Sequence, residues 1–106
     1  MKNALVTPDG YFFEQLPDGT YTDGDVTFNY DVSDDLRGVI WQEMDGQYCA
    51  DGDGLLVVDF DGSRWLLVDQ GDPVFAADTL ADALRAGNEQ LAEFYPEIYA
   101  EHVGEA

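Results

Sequence analysis

Seven Asp-Gly dipeptides punctuate this chain, at positions 9–10, 18–19, 23–24, 45–46, 51–52, 53–54 and 61–62. Both residues tolerate the positive φ of a tight turn, which makes the pair a strong short-range hairpin signal. A segment broken so often holds short strands rather than long helices. The spacing of the pairs follows no fixed period, so they are turn chemistry and not a structural repeat.

The runs between the turns read as strands. Tyr11 to Leu16 follows the first pair, and Val26, Phe28 and Tyr30 alternate with polar neighbours at a period of two. Val39 to Met44 with Gln47 to Ala50, and Leu55 to Phe60 with Ser63 to Val68, form two successive hairpins. Leu55-Leu56-Val57-Val58 is apolar on both faces, so it is expected inside the sheet and under a helix. From Asp78 the period changes. Asp78 is the expected N-cap, and Leu80, Leu84, Leu91, Phe94, Tyr95, Ile98, His102 and Val103 form one apolar helical stripe. Gly87-Asn88 reads as a possible stop between two helices, and Pro96 must kink or break the segment because it lacks a backbone donor. The expectation is an α+β fold in a single domain, residues 1–106. An antiparallel β-meander of five to seven strands (residues ~3–70) packs against a C-terminal helix or kinked helix pair (~79–103).

Composition bounds the class. The 2 Trp, 6 Tyr and 6 Phe supply a core that a disordered acidic tail would lack. Against 23 Asp and Glu stand only 4 Lys and Arg, a net charge of −19. Whatever covers most of such a surface should be positively charged. No stretch approaches the ~18 apolar residues of a membrane span. Ala4-Leu5-Val6 is too short for a signal peptide, and lone Cys49 fits a reducing compartment. The expected location is the cytoplasm.

Catalytic chemistry finds little footing. The lone His102 sits on the apolar stripe and Cys49 lies in a strand, so neither has the neighbouring base that an activated nucleophile needs. A zinc site needs several Cys and His, and no phosphate loop or nucleophile elbow is present. Asp51-Gly52-Asp53-Gly54 opens like an EF-hand loop, but the fifth position is Leu55 and the twelfth is Gly62, with strands on both flanks. The chain is therefore read as a binding protein, not an enzyme, with no cofactor and no specific metal.

What the sequence does carry is a row of acids. Glu89, Glu93, Glu97, Glu101 and Glu105 recur at four-residue spacing, and Asp78 and Asp82 take the same step earlier. Like charges at that spacing destabilise a helix by roughly 0.2–0.5 kcal/mol per pair, and Lys or Arg at alternate positions would relieve it. A sequence that repeatedly breaks a local rule invites a functional reading. On one continuous helix these carboxylates recur at about 6 Å and rotate by about 40° per step, close to the spacing and winding of phosphates on a strand. Glu93, Glu97 and Glu101 are the expected centre of contact. Asp45, Asp51, Asp53, Asp59 and Asp61 are expected to form a second acidic edge at one end of the sheet.

In size, simplicity of fold, missing catalytic residues and charge, the chain resembles the small acidic phage-encoded inhibitors of CRISPR and restriction systems. The resemblance is one of character over the whole chain, with no shared motif and no residue roles to carry over. It implies a partner with a basic DNA- or RNA-binding surface, blocked stoichiometrically, and no direct binding of nucleic acid. Two other readings share the composition. One is a cytoplasmic protein adapted to high salt, in which acids spread evenly. The other is an immunity factor or antitoxin that neutralises a basic nuclease or toxin. An acidic mimic instead requires its acids on one continuous face.

Overall fold

The computed structural model describes residues 3–29, 38–50 and 56–103. The architecture is α+β. Among the described residues nine antiparallel strands form one sheet, and two C-terminal helices pack on one of its faces. The strands are β1 (Asn3–Val6), β2 (Phe12–Gln15), β3 (Tyr21–Thr22), β4 (Thr27–Phe28), β5 (Val39–Met44), β6 (Gln47–Cys49), β7 (Leu56–Phe60), β8 (Trp65–Asp69) and β9 (Asp72–Ala77). The helices are α1 (Leu80–Phe94) and α2 (Pro96–Val103). No helix among the described residues is long and apolar enough to cross a membrane.

The sheet order, β4-β3-β2-β1-β5-β6-β7-β8-β9, departs from a single meander. Strands β1 to β4 step outward one way and β5 to β9 the other, and the two wings join where β1 pairs with β5 (Leu5 opposite Ile40). The count exceeds the expected five to seven for two reasons. The N-terminal wing resolves into four short strands, and an unforeseen β9 extends the sheet to Ala77. Its turn is Gln70-Gly71, with φ of 51° and 89°, joining the Asp69–Asp72 pair. Gln-Gly is a weak turn signal, and Pro73 argues against a central strand. On an edge strand a proline's missing donor does no harm.

The core lies between the sheet and the helices. Ala4, Val6, Val39, Trp41, Val58 and Leu67 meet Ala83, Leu84, Leu91 and Val103 there. Strand β7 is interior and packs under α1, as its apolar run requires. A smaller cluster of Leu5, Phe13 and Tyr21 occupies the opposite face of the N-terminal wing, joined by Phe28, whose ring meets Phe13 edge-on at 5.1 Å.

Two helical expectations are corrected. The N-cap of α1 is Thr79, not Asp78: its hydroxyl oxygen accepts from the Asp82 N–H at 3.2 Å. Asp78 is 87% exposed at its side chain and pairs with Arg64 instead. Gly87-Asn88 interrupts nothing, because α1 runs straight through it. The absence of a side chain at Gly87 admits Trp41: a Cβ there would lie 2.6 Å from the indole Cη2. Asn88 is buried, accepts from Trp41 Nε1 at 2.8 Å and donates through Nδ2 to the Val6 carbonyl at 2.9 Å. The real break is at Tyr95, where Pro96 disfavours helical geometry in the residue before it. The Tyr95 hydroxyl and Gln90 Nε2 both donate to the Asp69 carboxylate, at 2.7 and 2.8 Å, and tie this end of α1 to the sheet.

Candidate functional site

Strand side chains alternate between the two faces of a sheet, so the register assigns each charged one. Glu14 is opposite Ala4, Glu43 opposite Tyr48 and Asp69 opposite Leu56, with Asp72 opposite Asp69 in turn. All four therefore share the face that carries the helices. Of the described strand residues on the other face, including Leu5, Phe13, Tyr21, Ile40, Gln42, Cys49, Val57, Leu66 and Val68, only Asp59 is charged. The remaining described acids lie in turns at the sheet ends or on the outer sides of the helices.

The sheet ends divide the turn acids. Asp18, Asp45, Asp61 and Asp78 lie at one end, while Asp9, Asp23 and Asp25 lie at the other. Asp45 and Asp61 thus share an end with Asp59 close by. Asp51 and Asp53 lie outside the described residues.

Several turn carboxylates are engaged in holding their loops. The Asp61 Oδ1 accepts from the Ser63 and Arg64 N–H groups at 2.9 and 2.8 Å, and these bonds hold its pKa below 3.8. The Thr20 hydroxyl and amide do the same for Asp18, and the Val26 and Asp25 amides for Asp23. In each case the charged form is favoured by donors aimed at it.

On the helices, the break at Tyr95 divides the expected row of glutamates. Asp82, Glu89 and Glu93 on α1 border an open groove of about 570 Å³ between α1 and edge strand β9. Glu97 sits beside Phe94, Pro96 and Ile98 at the junction of the helices. Glu101 borders a separate hollow with Asn3, Gln42 and Ala50. Glu105 lies outside the described residues. The structure therefore brings Asp82, Glu89 and Glu93 together and sets Glu101 apart, so the carboxylates do not wind along one helix in five even steps.

The same groove holds residues that the sequence reading passed over. Leu67, Phe75, Ala77 and Ala86 line it together with the acids, and Phe75 is 48% exposed. Arg64 and Arg85 line it too. Arg64 lies 3.4 Å from Asp78, while Arg85 donates to Asp82 at 3.0 Å and through Nε to the Gly10 carbonyl at 2.6 Å. A sheet edge one strand further out, at residues 72–77, was needed to see this groove.

The accessible surface is 6218 Å², so the average is roughly one net charge per 330 Å², against roughly one per 110 Å² for a DNA cylinder about 20 Å across. Only a concentrated face approaches the density of DNA; the described strand acids favour the helix-bearing face, and seven further acids lie in turns at the two ends of the sheet. No protein-family model, curated protein or solved structure matches this chain.

Proposed function

We propose that this protein is a non-catalytic acidic binder that occupies the basic DNA- or RNA-binding surface of another protein, such as a CRISPR surveillance complex or a restriction enzyme. The observation that carries the reading is the one-sided charge. Among the described strand residues, the helix-bearing face holds Glu14, Glu43, Asp69 and Asp72 while the opposite face holds Asp59 alone. Salt adaptation predicts an even spread and gives no reason for this asymmetry. A surface that stands in for nucleic acid needs its charge on the side that docks. The α1 carboxylates Asp82, Glu89 and Glu93 stand on that side, while Glu97 and Glu101 on α2 border separate hollows.

The test is capture of partners from a bacterial lysate at ~0.1 M salt, where exposed charges act over about 10 Å. Elution is compared between ~0.5 M salt and competing duplex DNA, since a contact made to a phosphate-binding surface weakens steeply with salt. Release of a nucleic-acid-binding protein by both agents is the expected result. A captured protein that DNA does not displace, or no capture at all, overturns the reading.

A further inference from the structure

The groove between α1 and β9 combines features that a purely solvated charged face does not need. Its lining includes the apolar side chains of Leu67, Phe75, Ala77 and Ala86, and the Phe75 ring is left half-exposed in a chain with ample polar residues. Four carboxylates (Asp78, Asp82, Glu89 and Glu93) line it against two guanidiniums. Both arginines already have carboxylate partners in Asp78 and Asp82. Among the described residues this leaves Glu89 and Glu93 as the carboxylates for which the groove supplies no further cation. An aromatic surface beside two such carboxylates suits one side chain in particular. The arginine guanidinium is planar, stacks on aromatic faces, is more weakly hydrated than an ammonium and presents a fork that matches carboxylate. A lysine ammonium shares only the charge.

We propose that the α1–β9 groove receives an arginine of the basic partner, its guanidinium laid on the Phe75 ring and paired with Glu89 and Glu93. This rests on the reading that the partner presents a phosphate-binding surface, where arginine is the favoured group for bidentate contact. Strand addition along β9 is a poorer use of the same edge. Pro73 and the register shift at Leu67/Val68 blunt it for hydrogen bonding, whereas the side chains facing α1 stay accessible.

Oligoarginine and oligolysine of equal length serve as probes, titrated by calorimetry and followed by amide chemical shifts at ~0.1 M salt. Oligoarginine should bind about two- to five-fold more tightly than oligolysine, with shifts centred on Phe75, Ala86, Glu89 and Glu93. Phe75→Leu, which keeps an apolar side chain at an exposed position, should reduce that preference. Joint Glu89→Gln and Glu93→Gln should weaken both probes. Equal affinities, or a preference that Phe75→Leu leaves undiminished, overturn the arginine assignment while leaving a salt-sensitive acidic binder in place. Failure of both probes to bind at all overturns the acidic-binder reading as well.

Discussion

Asn88 links three parts of the molecule with one amide: the helix that bears it, the Trp41 indole of β5 and the Val6 carbonyl of β1. Replacing it by Leu would leave the buried Trp41 Nε1–H without its acceptor, costing about 1–3 kcal/mol, and would remove one bond to the Val6 carbonyl, worth about 0.5–1.5 kcal/mol. Asn88→Leu should lower the unfolding free energy by about 2–4 kcal/mol in urea titrations. Gly87→Ala should also destabilise, because overpacking at about 1–3 kcal/mol outweighs a helix-propensity gain of at most about 1 kcal/mol. Neither role can be read locally. Gly-Asn in sequence is a helix-stop signal, and its partners lie 47 and 82 residues away. The turn aspartates are the opposite case, legible from their Asp-Gly pairs alone. The folded pKa of Asp61 lies below its ordinary 3.8, so its bonds to the Ser63 and Arg64 amides stabilise the fold above that pH. The contribution fades as pH falls through the folded value. Asp61→Ala should accordingly be less stable than the parent near neutrality, with the gap closing as thermal melts are taken below pH 3.8.

At the scale of elements, the cap assignment is directly testable. Thr79→Ala should cost about 1 kcal/mol, the usual loss of an N-cap oxygen. Asp78→Ala should cost at most about 0.5 kcal/mol, since its partner is a surface arginine. Equal losses in paired denaturant titrations would return the cap to Asp78. The hairpins at Asp45-Gly46 and Asp61-Gly62 and the two helices were legible because each announces itself by a turn pair or a 3.6-residue period. Strand β9 was not, since Gln70-Gly71 takes the same positive φ values without the usual residues, and Pro73 disguises an edge strand as a loop. That omission also hid the α1–β9 groove, one of whose walls is this strand. The glutamate row was legible as spacing but not as geometry, because α1 ends at Tyr95 and Glu93, Glu97 and Glu101 border three different hollows.

At the scale of the whole molecule, the total charge was visible in composition while its one-sidedness was not. The faces follow from strand register, and register follows from a β1–β5 pairing that no local pattern announces. That pairing, together with the Asn88 bond to Val6, sets an order on assembly. Strand β1 meets β5 only after more than thirty further residues exist, and the Val6 carbonyl waits 82 residues for its amide. At roughly 5–20 residues per second of translation, that is a delay of about 4–16 s on the ribosome. During this interval the strands that α1 will cover have emerged without their helix, so the last third of the chain acts as the clasp that completes the first.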